Sequence, residues 1–528
     1  MKGSRAALAL LVVVVFATVA PPRATGAPEL PAFPGAEGFG AGATGGRGGR
    51  VYIVTTLEPF GPGSLGEALA PAKCEPRIVV FAVSGVIEVP GKHDLELTCG
   101  NLTVAGQTAR GAGITVNGRV DGYGADPAGN IIIRHVRFRP PPITDEEGAV
   151  DNLGRIYDAL QLSNNSNLML DHLSLSWGSD ETVDLYEFAN DSTLQWSTIE
   201  QSNPHGQAEG PHNDGIMVGP ESPRVTIHHV LFAHHEARCP AMGTGPAEFL
   251  NSVVYDCKDA FVHHNAANGE FHIAGNTFIH GPSHKEFTPI FLDDEDPGGT
   301  TYWLYQNEFV APGQLEGIAD DISGTPLAEV AFYGADPDQV IDSPSDFAEA
   351  SKSYAPVSMQ APGEAYDAVL ESAGAFPRDA MTAETIDDVR NRTGDWEPDP
   401  PADLLQGLTP GVPPTDADKD GIADDWEGAH RLNATDPDDH ATVMSSGYTA
   451  IEEYVNELSV ALVGAPPPAS QSPVRTGPSD TKTTAAAGDD GSDPLAGIAL
   501  ALSIVALVLA GFAVYRVRGG RPPQAPQA

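Results

Sequence analysis

The 528-residue chain carries a formal net charge of −43, with eight lysines against 21 arginines. So acidic a balance excludes a basic nucleic-acid footprint, and leaves a cation-binding protein, a surface adapted to salty water, or both. The length predicts more than one domain, and 57 glycines with 46 prolines predict many turns.

Residues 1–26 join Lys2 and Arg5 to an apolar run, Ala6 to Val15, and end in small residues, which reads as a secretion signal. Export permits disulfides and glycosylation. Cys74, Cys99, Cys239 and Cys257 allow three pairings. The sequence-local set, Cys74–Cys99 with Cys239–Cys257, is the expectation, and buried free thiols are the alternative. In GPGSLGEALAPA, Ser64 with Glu67 three residues on forms a capping box for a short helix.

From residue 33 to 312 the chain repeats itself. Short apolar strands such as NLTVAG, NIIIRHVRFR, NLMLDHLSLSW and RVTIHHVLFAH start 22 to 37 residues apart, with turn residues between them. A period in that range without helical patterns predicts a β-solenoid rather than a β-sandwich or a βαβ fold. Each coil pairs with the next around an apolar interior, and the helix after Ser64 would cover one open end.

Residues 313–400 form a helical extension, with helices expected over Glu364–Ala375 and Thr382–Gly394 along the outside of the solenoid. Within 413–460, DADKDGIADDWE places Asp416, Asp418, Asp420, Gly421, Asp424 and Glu427 at positions 1, 3, 5, 6, 9 and 12 of an EF-hand loop, with the Ile422 carbonyl at position 7. A helix follows in SSGYTAIEEYVNEL, and one structural calcium site is the reading. Residues 464–493 read as a disordered stalk. Residues 495–515 start with twenty uncharged residues, enough to cross a bilayer, and Arg516, Arg518 and Arg521 follow. The expectation is an exported body displayed at the cell surface on one C-terminal transmembrane helix, with a short cytoplasmic tail.

FPGAEGFGAGATGGRGGRVYIVTTLEPFGPGSL, RIVVFAVSGVIEV, LTVAGQTARGAGITV and DHLSLSWGSDET together resemble the pectate lyase family, polysaccharide lyase family one, and the likeness runs from about Phe33 to Glu457. The resemblance implies a right-handed parallel β-helix that cleaves pectate or a related uronate polymer by β-elimination, with Ca2+ in its cleft. It implies metal ligands at Asp158, Asp180 and Asp184, and a proton-abstracting arginine at Arg238 in HHEARCP. Asp180 and Asp184 share strand parity, whereas Glu181 does not and is the weaker ligand candidate. Asp171 is expected to be structural, bonded near His172.

Two family cations are absent here, with Gly243 at the second-arginine position and Glu209 at the lysine position. Either nearby cations such as Arg155, Lys258 or Lys285 compensate, or the substrate differs from plain polygalacturonate, or activity is low; His212, His234 and His235 are candidate cleft contacts. The expected partner is an anionic polysaccharide, with no nucleic acid, met by a monomer. Two other readings of the same sequence are a non-catalytic, calcium-dependent glycan-binding β-helix and a glycoside hydrolase.

Overall fold

The computed structural model describes residues 30–90, 93–126, 128–141, 158–203, 213–263, 268–291, 299–311, 339–396 and 400–464. They belong to one unit, Met1–Ser472, and the second unit, Pro473–Ala528, lies outside them. The secretion signal expected at residues 1–26 and the membrane segment expected at residues 495–515 also lie outside the described residues. Among the described residues, no helix is long and apolar enough to cross a membrane.

The repeats are the rungs of a parallel β-helix. One sheet holds ten strands, from Arg50–Val54 through Ile131–Arg134 and Val225–His228 to Thr300–Tyr305, each pairing in parallel with the next coil's strand. A second path runs up one face from Gly85–Glu88 and returns down another to Leu95–Glu96. It folds over at the long strand Val253–His263, whose halves serve both faces. Three faces thus enclose one interior, filled by Ile114, Val116, Leu160, Val183, Ile216, Phe232, Phe249 and Phe278, all fully buried.

Asparagine forms one corner of this stack. Asn101, Asn130 and Asn167 stand at φ of 50°, 55° and 59°, and their side chains chain together at 2.8 and 3.1 Å. Asn tolerates that left-handed conformation because its short amide bonds locally, and stacking turns the amide of one coil into the partner of the next.

The expected capping helix is α1, Leu65–Leu69, with Ser64 accepting from the Glu67 N–H. The extension supplies α2, Pro362–Ser372, and α3, Ala380–Asn391. Val369, Leu370, Ile386 and Val389 bury against Leu231, Ala233, Val253 and Tyr255 on the solenoid wall. Farther on come α4, Asp424–His430, and α5, Ala450–Val463. Both sequence-local disulfides are present, Cys74–Cys99 and Cys239–Cys257.

Candidate active site

Parallel pairing without crossing strands stacks like positions of successive coils, so a few acids can build a wall. On the returning face Gln161 pairs with Asp121 of the coil before and Asp184 of the coil after, and Asp121 pairs with Glu96. Asp158 precedes Gln161 by three residues, as Glu181 precedes Asp184. The same register therefore sets Asp158 on Glu181, and Glu181 on Asp214.

One carboxylate oxygen from each of Asp158, Asp180 and Glu181 lies within 4.8 Å of the others. Gln161 Nε2 donates to Asp158 Oδ2 at 3.3 Å and to Asp184 Oδ2 at 2.5 Å, tying the fourth acid to the group. Asp158 Oδ1 and Asp184 Oδ1 are buried without a hydrogen-bond partner. Burial, then the neighbouring Asp184, holds the Asp158 carboxyl well above the usual carboxylate range, against the pull of Arg119. Burial also lifts Asp184 to about 6, with the Gln161 hydrogen bond opposing and Asp180 adding to it. Asp214 is raised by burial and by Asp180, Glu236 and Asp259. Carboxylates this close and this dry repel unless protons or a hard cation sit among them. Orphaned oxygens on oxygen-only donors suit Ca2+.

Arg238 follows the strand Leu231–Ala237 with φ 60°. Its N–H donates to the Asp259 carbonyl, and its own carbonyl accepts from Ile216, so both neighbouring coils fix its backbone. The adjacent Cys239–Cys257 bridge ties the next residue to the following coil. Nη1 donates to Glu181 Oε1, and Nε lies 3.1 Å from Asp214 Oδ2. Burial pulls the guanidinium below its ordinary pKa, opposed by the charge of Asp180.

Glu181, set aside on parity, belongs to the acid cluster. Alternation holds within the strand Glu181–Leu185, but Asp180 lies in the bend before it, so the two point together. Asp184 lies one row over, joined to the cluster through Gln161. His235 is no cleft contact. It is fully buried, with Nδ1 2.7 Å from Ser202 Oγ and Nε2 3.0 Å from the Ile199 carbonyl. His234 is also a wall residue, bonded to Asp256 at 2.8 Å and facing Asp388 of α3. Lys285 is exposed beyond the strand Thr277–Ile279, and Lys258 pairs with Glu236 at 2.9 Å. Arg155, His212 and Glu209 lie outside the described residues. Asp171 is structural as expected, bound to His172 at 2.9 Å and to Arg134 at 2.8 Å.

The residues that sequence reasoning missed are Arg119, Gln161 and Asp214. Arg119 reaches Asp94 at 3.5 Å, Asp121 at 3.6 Å and Asp158 at 3.9 Å, a cation inside the acid wall. Only the coil register, invisible without the pairing, reveals them. Beside the wall, the rings of Tyr123, Tyr186 and Phe188 are exposed.

In the C-terminal turn, Asp416, Asp418 and Asp420 converge within 4.8 Å, as do Asp420, Glu427 and Asp439. Asp424 gives one of its oxygens to the turn itself. Its Oδ1 accepts the Ala417 N–H at 2.8 Å. Burial lifts Asp420 to about 6 and Glu427 to about 7, and neighbouring acids add to both.

No family model matches the chain. A probable pectate lyase C of Emericella nidulans is 33% identical over 435 residues, covering 81% of this chain and 93% of that protein. Another from Aspergillus terreus is 33% identical over 443 residues, 81% and 94%. The pectate trisaccharide-lyase of Thermotoga maritima is 23% identical over 215 residues, 40% and 52%. Among solved structures, the cedar pollen allergen jun a 1 overlays with TM-score 0.45 and 17% identity over 65% of this chain and 93% of that one. A carbohydrate-cleaving β-helix is the class defined here, and the chain is a polysaccharide lyase. It belongs to the pectate lyase family.

Proposed function

We propose that the chain cleaves pectate, or a closely related uronate polymer, by calcium-dependent β-elimination in the groove between Asp158 and Arg238. The single observation that carries this is the pair of orphaned oxygens, Asp158 Oδ1 and Asp184 Oδ1, in an acid cluster that also touches Arg238. Asp158, Asp180, Glu181 and Asp184 would hold Ca2+. Bound there, the ion would neutralise the substrate carboxylate and so acidify the proton alpha to it.

The chain's own residues do the rest. Gln161 holds Asp158 and Asp184 apart at fixed spacing. Arg238 takes the alpha proton, a carbon–carbon double bond forms, and the bond to the glycosidic oxygen beta to it breaks; that oxygen takes a proton from water as the new chain end, and Arg238 returns its proton to the solvent. A guanidinium suits this task only when its pKa is drawn down, which is the direction burial gives Arg238. Glu181 and Asp214 fix its orientation from two sides. The exposed rings of Tyr123 and Tyr186 supply apolar faces for pyranose rings beside the acids. Display at the cell surface through residues 495–515 would set this groove against extracellular polymer.

The test is the full chain with polygalacturonate and calcium, followed by absorbance of the unsaturated product. Rising absorbance that chelator abolishes and Arg238→Ala removes supports the proposal. Binding without absorbance would leave a glycan-binding module, and new reducing ends without the chromophore would indicate hydrolysis.

A further inference from the structure

We propose that the acidic turn before α4 binds one divalent cation whose cage is completed from outside the turn by Asp439, and that this ion fastens α4 and α5 onto the first coils of the β-helix. Glu427 is fully buried, yet neither of its carboxylate oxygens has a hydrogen-bond partner. The same holds for both oxygens of Asp418, for Asp420 Oδ2 and for Asp439 Oδ1. Asp416 differs, since its oxygens accept the N–H groups of Lys419, Asp420 and Gly421 at 2.7 to 3.2 Å, which shapes the turn. Leaving six carboxylate oxygens dry and unpaired is costly unless an ion replaces the lost water. A donor set made only of carboxylates points to Ca2+ rather than a softer metal.

Asp439 enters because one of its oxygens lies within 4.8 Å of those of Asp420 and Glu427, while Asp424 Oδ1 is engaged by the Ala417 N–H. The Asn433 N–H donates to Asp439 Oδ2 at 2.7 Å and leaves Oδ1 for the cluster. Asp439 follows α4, so the ion would join both sides of that helix.

The turn rests directly on the solenoid. Ile422 and Ala423 bury with Ile78, Val80 and Ala105 of the first sheet and with Ile451, Tyr454 and Val455 of α5. Gly421 has φ 94°, and a Cβ there would lie 2.7 Å from Val51 Cγ1 and 3.1 Å from Val80 Cγ2. The glycine serves both the sharp turn and this close approach. Alongside, Arg47 pairs with Glu452 of α5 at 2.7 Å. An ion that orders the turn therefore orders the surface covering strands Arg50–Val54 and Arg77–Phe81.

The test measures calcium stoichiometry and melting of the full chain, in chelator and in calcium, for wild type, Asp439→Asn and the groove variant Asp180→Asn. Calcium is expected to raise the melting temperature by several degrees. Asp439→Asn should lose most of that shift and bind calcium at the turn on the order of tenfold more weakly, as removing one ligand charge requires. Asp180→Asn should lose only the part of the shift that the groove contributes and keep the part, and the bound calcium, that the turn supplies. Hydrogen exchange of wild type serves if Asp439→Asn fails to fold, with calcium expected to slow exchange at 50–54 and 77–81. An unchanged stoichiometry and shift in Asp439→Asn would overturn the role of Asp439, and unchanged exchange in wild type would overturn the fastening.

Discussion

Arg238 Nε lies 3.1 Å from Asp214 Oδ2, on the coil that pairs directly with Glu181, whose carboxylate receives the same guanidinium at Nη1. The proposed base and the proposed metal ligands are therefore one connected network. Arg238→Ala should lower kcat about a thousandfold, the middle of the range for a positioned proton acceptor. Calcium affinity of the groove should change little. Steady-state kinetics beside calorimetry separate the two, and a parallel loss of calcium binding would refute the assignment of Arg238 as base.

Asp158→Asn should act in opposite directions on two measurements. Burial and Asp184 make ionised Asp158 costly in the metal-free protein, so the neutral amide should raise the melting temperature in chelator. It should also weaken calcium binding in the groove, because a ligand charge is gone. A melting temperature that falls in chelator would show that Asp158 is paired after all.

Gly243→Arg, which restores the family's second arginine, should not improve the enzyme. A Cβ at Gly243 would lie 2.8 Å from Gly219 and Pro220 backbone atoms. The rung must shift to admit any side chain, which overpacking data put at about 2 kcal/mol of stability. Denaturant melts would read the loss, and a variant as stable as wild type with a lower KM would contradict this packing.

Acid should weaken the fold through His229 and His235. Burial lowers both from 6.5 to about 4. Between these values the unfolded chain binds more protons than the folded one. Their contribution is complete above pH 6.5 and is lost as pH falls through that window. Melts of His235→Gln from pH 4 to 7 should show a shallower slope than wild type, and an unchanged slope would remove His235 from the account.

The strand period, the capping helix at Ser64 and the two disulfides were legible in the sequence, because each leaves a local mark, whereas Asp158, Asp180, Asp184 and Arg238 were named only through the family resemblance. What local marks cannot carry is register. Parity placed Glu181 away from Asp180, yet a bend ahead of the strand returns it to the cluster. His235 sits in a histidine-rich run beside Arg238, but the long strand Leu231–Ala237 turns its ring into the wall. Arg119 and Asp214 lie 39 residues before and 56 after Asp158 in the chain and join it only through coil pairing.

The asparagine corner has an evolutionary corollary. Coil starts on the first sheet lie 22 to 37 residues apart while the left-handed turns repeat nearly unchanged, so length is added or removed elsewhere in each circuit. The two longest circuits, from Ile131 to Leu168 and from Ser192 to Val225, are the ones that carry Asp158 and Asp214. A lineage could lengthen or trim such circuits while the rungs kept their stacking.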